Sequence, residues 1–376
     1  MNIVAKSLVV SFVILTWALP TIAASPGKIS AARHAVKRAM PLILKSAVSY
    51  VQQKDCFTCH HQALPVMAAA SAKQLGMSIE AEWFETQRKF TADFFLGRKK
   101  ELAKGQGVPG GAFTAGYALA QFISTTQTAI PADENQVERL PGTDELLDYL
   151  LTIYQADRPW KINTIRPPLE SSDFTATGLA IAAIGTYEPV ELIKRTRAIR
   201  QWFVNTKAVS TEDRAFQLLG WYWLINTQYA YQAKRLQLTD PKPANLQVEN
   251  PDTDADASVL QEMLSTLRNQ QRKDGGWGQT EEMTSDAYAT GLVLTAVLTV
   301  NPELFEQKWV TEGVQYLLKN QLKDGSWLVL TRSKPIQEYF ESDFPHGEDQ
   351  FISISASCWS VIALSQYAQQ GLKQPD

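Results

Sequence analysis

The sequence predicts an all-α protein assembled from six helical hairpins, and three observations carry that prediction. From residue 28 onward one kind of stretch is amphipathic, as in TDELLDYLLTIY, PVELIKRTRAIRQWF and GVQYLLKNQ, with apolar residues at three- and four-residue spacing opposite charged ones. A second kind alternates with it, apolar almost all round and rich in small residues, as in AFTAGYALAQF, FTATGLAIAAIG and AYATGLVLTAVL; helices of that composition must be buried. A loop of the form QxxDGxW also occurs twice, at Gln271–Trp277 and Gln321–Trp327, 50 residues apart, which marks an internal repeat.

In chain order, residues 1–23 read as an export signal. Lys6 supplies the positive start, SLVVSFVILTWAL the apolar centre, and the small residues around Ala23 and Ala24 a cleavage site. The expected location is periplasmic or secreted, and no later segment is expected to approach membrane-spanning length. The remainder, 24–376, is expected to be a single domain. Pairing each amphipathic helix with the buried one after it gives units beginning near residues 29, 79, 143, 190, 257 and 303. In the repeated loop Gly ends a helix in the left-handed conformation, Asp caps neighbouring N–H groups and Trp covers the adjacent helix. A degenerate copy, Gln155 to Trp160, stands at the equivalent point of the third unit. The stretch from Gln228 to Ala257 reads as a surface excursion whose acidic triplet, Asp252, Asp254 and Asp256, is expected to cap the next helix and stay solvated. With 36 Lys+Arg against 39 Asp+Glu and no basic run, the chain lacks the electrostatic footprint of a nucleic-acid binder.

The chemistry-bearing motif is Cys56-Phe57-Thr58-Cys59-His60, followed by His61. C-x-x-C-H is the attachment signature of c-type haem. Thiols one helical turn apart can link both vinyl groups of one porphyrin, and the adjoining imidazole of His60 can reach the iron. A disulfide between Cys56 and Cys59, or a zinc site using Cys56, Cys59, His60 and His61, are the alternatives; a thioredoxin-like role lacks its βαβ context. Cys358 lies among small residues of the last buried helix and reads as packing.

The QxxDGxW loop between an outer and a small-residue-rich inner helix resembles the QW repeat of the squalene–hopene cyclase and protein-prenyltransferase superfamily. The resemblance spans essentially the whole mature chain. It implies a closed α6/α6 toroid in which six inner helices line a central, mostly apolar cavity that takes an apolar or isoprenoid-like molecule. On the same alignment Gln52 to Asp55 matches the start of the QW loops, so the haem motif replaces the loop of the first hairpin, on the rim where the inner helices begin.

Squalene–hopene cyclases protonate an alkene with an Asp in a DxDD motif. Here the nearest matches, Asp286-Ala-Tyr288 and Asp173-Phe-Thr175, keep the first Asp but put Tyr288 or Thr175 where the acid should be. Prenyltransferase zinc chemistry needs an Asp-x-Cys pair, which the chain lacks. Asp173, Asp286 and Tyr288 are therefore candidates at the cavity mouth, with helix capping the plainer role for the two Asp residues. Closing the ring would bring the long rim loop from Leu328 to Gln350 beside the first unit, which makes His346 a candidate sixth ligand to the haem iron. His61 and Met67 lie on the proximal side, and His34 sits on the first outer helix.

Three functions follow as expectations. The first is an exported c-type haem protein doing redox work on a toroid, with an apolar ligand and an electron-transfer protein as partners. The second is a cyclase or isomerase with a rearranged acid. The third is a non-catalytic binding module whose CxxCH holds a disulfide or zinc.

Overall fold

The computed structural model describes residues 26–126, 137–237, 253–336 and 338–373. The proposed signal and Asp252 lie outside the described residues. Among those described, twelve helices have ten residues or more. In chain order they are α1 (Pro26–Gln53), α2 (Leu64–Gln74), α3 (Ala81–Leu96), α4 (Ala112–Thr126), α5 (Thr143–Ile153) and α6 (Asp173–Tyr187), then α7 (Thr196–Asn205), α8 (Thr211–Gln237), α9 (Thr253–Asn269), α10 (Ala287–Val300), α11 (Lys308–Asn320) and α12 (Gln350–Lys373). Odd-numbered helices form the outer layer and even-numbered ones the inner layer. Each inner helix packs on the next, and α12 packs on both α2 and α1, so the ring is closed.

Small residues allow the inner helices to approach closely. A side chain at Gly291 of α10 would lie 2.7 Å from the Ser360 backbone nitrogen of α12, so glycine is required at that crossing. The helix α12 is long and apolar enough to cross a membrane by length and composition, contrary to the sequence expectation, but 89% of its apolar window is buried inside the protein. It is a core helix of the ring.

The repeated loops tie hairpin to hairpin. Trp160, Trp277 and Trp327 each donate an indole N–H, at 2.8 Å, to a carbonyl of the preceding outer helix: Leu150, Leu267 and Leu317. The degenerate third loop thus keeps the anchor without the Asp-Gly pair. Gln271 donates to Gly275 O at 2.8 Å within its loop and to Trp309 O of the next outer helix. Gln321 does the same with Gly325 O and Ala35 O, both at 2.9 Å, and Ala35 belongs to α1, so this contact closes the ring. Gly275 and Gly325 take φ of 88° and 95°, where a side chain would also strike a carbonyl of the next outer helix.

One expectation is corrected here. Asp256 is not solvated: it is fully buried, paired with Arg200 of α7 (2.8 Å) and accepting the Tyr229 hydroxyl of α8 (2.9 Å). Three donors from two helices converge on one carboxylate, which makes its burial tolerable. Large aromatic side chains project between the inner helices. Tyr117, Tyr288 and Trp359 are fully buried, and Phe216 of α8 reaches Trp359 of α12 across the ring, with ring centroids 6.3 Å apart. Bulky aromatic side chains on non-neighbouring inner helices fill the space that smaller ones would leave.

Candidate functional site

The CxxCH segment opens as one π-helical turn, Cys59–Ala63, that runs into α2. Thr58 caps it by accepting from His61 N, and Gln62 Oε1 accepts from Thr58 N at 3.0 Å and Thr58 Oγ at 2.8 Å, which pins the turn. All three cysteines are free thiols. The hydroxyl of Tyr50, from the end of α1, lies 3.2 Å from Cys56 Sγ, and the same ring stacks on His61 at 5.0 Å and meets His60 edge-on at 6.1 Å. Phe351, at the start of α12, packs against His60 at 5.2 Å. The two imidazoles touch through Nδ1, and His61 Nε2 is buried with no partner. Burial holds both rings neutral: His60 falls to about 3, helped by the Arg166 guanidinium, and His61 drops well below the usual range. Cys59 is buried, and its thiol is pushed well up by burial, with Glu170 and Glu212 adding to the rise against Arg166.

Glu170 and Arg166, of the loop before α6, and Glu212, of α8, are thus near enough to act on the CxxCH thiol. There the first turns of three inner helices converge on one carboxyl. Glu212, in the first turn of α8 and only 3% exposed, accepts the Tyr288 hydroxyl of α10 at 2.5 Å and the Thr175 hydroxyl of α6 at 2.9 Å. Tyr288 and Thr175 are the residues standing where the cyclase acid is missing. Burial pushes Glu212 up to about 8, against the two hydrogen bonds that favour its ionised form. Tyr117 of α4, electrostatically coupled to both Glu212 and Cys59, has a buried hydroxyl without a partner.

A small cavity opens beside this cluster, lined among others by Pro168, Ser171, Glu212, Gln279, Tyr288 and Arg332. Arg332 donates to Gln279 Oε1 at 2.7 Å, and the buried amide of Gln279 faces the neighbouring Asp286 carboxylate, which it helps to hold ionised. Asp286 caps α10 by accepting from Ala289 N at 2.8 Å, and burial raises it to about 6. Asp173 stands apart: Ser172 is the cap of α6, whereas Asp173 accepts from Ile162 N at 2.8 Å and pairs with Arg158, holding the preceding loop.

The structure thus gathers Cys56, Cys59 and His60 in one cluster, and Tyr288 in an adjoining one. His346 sits in the rim loop at φ 89°, its Nε2 2.7 Å from Ser326 Oγ of the last QW loop and its ring beside Phe344. Those contacts turn it toward the loop and not toward His60. Glu212 is not among the residues that the sequence motifs single out. Its signal was the acidic first turn Thr211-Glu212-Asp213, placed like Asp173-Phe-Thr175 and Asp286-Ala-Tyr288 at the start of an inner helix.

The fold is the α/α toroid of the terpenoid cyclase kind. The type II terpene cyclase MstE of Scytonema, in a variant bound to its product merosterolic acid A, matches over 92% of this chain and 99% of that one with a TM-score of 0.53 and 14% identity. A possible GH105 family member of Klebsiella pneumoniae matches over 93% and 95% with a TM-score of 0.52 and 12% identity. One from Salmonella enterica matches over 90% and 93%, with a TM-score of 0.50 and 12% identity. No family model matches the sequence, and no curated protein does. At these identities the likeness establishes architecture, and enzymes of different chemistry share it.

Proposed function

We propose that this is an exported c-type haem protein built on a terpene cyclase-like toroid, in which the haem does redox work beside a site for an apolar, isoprenoid-like molecule. The observation that carries the reading is that two free thiols and the buried imidazole of the CxxCH segment gather around Tyr50, which lies 3.2 Å from Cys56 Sγ and meets His60 edge-on. The donor set fits the group. Cys56 and Cys59 are uncommitted to a disulfide, and the Tyr50 hydroxyl is coupled to both sulfurs. His60 engages its neighbour through Nδ1, which leaves Nε2 for a metal, and the Arg166 cation beside it suits an anionic propionate. Cys56 and Cys59 would hold the porphyrin and His60 the iron; the bound group supplies one-electron chemistry. Tyr50 and Phe351 orient the imidazole and keep water from it. The apolar ligand class is taken from the isoprenoid-type compounds carried by the cyclase neighbours, such as geranylgeranyl dihydroxybenzoate in MstE.

The test is chemical. Protein exported from a host that matures cytochromes c should keep its Soret band after denaturation and weigh one haem more than the polypeptide; Cys56→Ala with Cys59→Ala should abolish both. Unmodified thiols or a plain disulfide under conditions that mature a reference cytochrome would reject the reading. His346, whose Nε2 engages Ser326, would be a further residue able to hold the bound group, so His346→Ala should convert a low-spin spectrum to high-spin, and an unchanged spectrum would remove His346 from the site.

A second reading, a cyclase or isomerase with a displaced acid, is favoured by the meeting of Tyr288 and Thr175 on Glu212. An acid that holds its proton up to about pH 8 is too weak for an alkene, which demands a strong one. Purified protein should therefore give no hopene-type product from squalene; detecting one, with its loss in Glu212→Gln, would install Glu212 as the cyclase acid. The zinc alternative is the least supported, since no three His, Cys, Asp or Glu side chains converge as metal donors among the described residues.

A further inference from the structure

Glu212 has water on one side and the CxxCH turn on the other. It lines the rim cavity together with Ser171, Ser210, Tyr288 and Arg332, and the exposure of Arg332 brings one wall of that cavity to the surface. The cavity offers about 10 Å³ to the centre of a water, room for one molecule. On the opposite side α4 packs both on the CxxCH turn and on α6, and α6 packs on α8, the helix of Glu212. Tyr117 of α4, whose buried hydroxyl has no partner, feels the charges of both Glu212 and Cys59.

The partners of Glu212 suit a group that gains and loses a proton. Tyr288 and Thr175 each hold one of its oxygens through a hydroxyl. A hydroxyl can turn from donor to acceptor, so the carboxyl keeps a partner in either state. The groups facing Glu212 are Tyr117 of α4, Thr175 of α6, Tyr288 of α10, Cys59 of the CxxCH turn, Arg332 of the rim loop and Asp213 of its own helix. Asp286, the cap of α10, shares Arg332 with it. Burial holds both phenols protonated, and Cys59 is neutral as a buried thiol or as a thioether. Asp213 is taken up by the cap of α8, accepting from Val209 N at 3.0 Å and Ser210 N at 2.9 Å.

We propose that Glu212 is the proton partner of electron transfer at the CxxCH site: each electron delivered to haem bound there is matched by a proton that Glu212 takes from water in the rim cavity and returns when the electron leaves. The inference rests on the haem half of the function proposed above and names what regulates that site. In the balanced step a one-electron donor protein reduces ferric iron to ferrous, and a solvent proton joins a carboxylate oxygen of Glu212. The interior then gains no net charge, which is what a buried site resists. The carboxyl of Glu212 lies near 8, so it exchanges its proton close to neutral pH. An ionised Glu212 opposes the incoming electron; unit charges about 12 Å apart at an effective dielectric of about 20 shift an equilibrium about tenfold. For one electron that factor is about 59 mV.

Redox titration of the haem-loaded full chain between about pH 6 and pH 10 tests this. The midpoint potential should fall as pH rises, by about 59 mV in all, and then level off. Glu212→Gln, which keeps the shape and stays neutral, should hold the potential at its acid-side value throughout. Tyr288→Phe removes a donor to the ionised form, so the fall should move to higher pH. Infrared difference spectra of the unaltered protein near pH 8 should show a protonated carboxyl band gained on reduction. A potential independent of pH, the lack of that band, or a fall that survives in Glu212→Gln would overturn the inference, and its loss in Asp286→Asn instead would pass the role to Asp286. Protein without a covalently retained Soret band would overturn the inference together with the proposed function, whereas bound haem with a flat potential would overturn the inference alone.

Discussion

Glu212 holds its proton because the first turns of α6, α8 and α10 enclose it, not because any one neighbour forces it. Its carboxyl lies near 8 in the folded protein and returns to the ordinary carboxylate range on unfolding. Between those values the native state binds the extra proton, so the stability from this group is fully present below about pH 4.5 and is lost as pH rises toward 8. Glu212→Gln removes the titration. Urea midpoints measured at pH 5, 7 and 9 should therefore move in favour of the Gln variant as pH rises, by on the order of a few kcal/mol across the range. A constant offset between the two proteins would show that Glu212 does not titrate in that window. The acidic first turn of α8 is visible in the sequence, but the burial of Glu212 and both of its partners are not, because they come from helices distant in sequence. Cys56, Cys59 and His60, by contrast, stand within five residues of one another, so their spacing is visible in the sequence itself.

At the level of the element, the QW loop is a tie with two ends. The indole anchors it to its own outer helix and the glutamine anchors it to the next one, which is why the third loop keeps its outer helix through Trp160 even without the Asp-Gly turn. Alternation of amphipathic and small-residue helices made all six hairpins readable, since outer and inner positions impose different compositions. What the pattern could not reveal was side-chain size at the centre, where Tyr117, Phe216 and Trp359 decide whether the ring is hollow. The two glutamines offer a test of the tie. Gln271→Ala and Gln321→Ala should each cost about 1–3 kcal/mol, the penalty for leaving a buried carbonyl without its donor. Hydrogen exchange of the α1 amides should quicken in Gln321→Ala alone, because only that side chain reaches Ala35. Equal acceleration in both would mean that the closure is held elsewhere.

At the scale of the whole molecule, the CxxCH turn, the Glu212 cluster and the rim cavity lie at one end of the ring, where the inner helices begin. The contact of α12 with α1 and α2 joins the last hairpin to the first as the other junctions join neighbouring hairpins. Ile29 of α1 lies directly against Gly371 of α12, close enough that any side chain at Gly371 would collide with it. The order in which the hairpins are synthesised is thus not recorded in the way they pack. Circular permutation makes that measurable: a chain with α12 joined to α1 by a short Gly-Ser linker, and opened between Asn205 and Thr211, should retain the helical circular dichroism and cooperative unfolding of the parent. Failure of that permutant to fold would show that one junction must form first. Success would mean that this protein has a rim and a face but, structurally, neither a beginning nor an end.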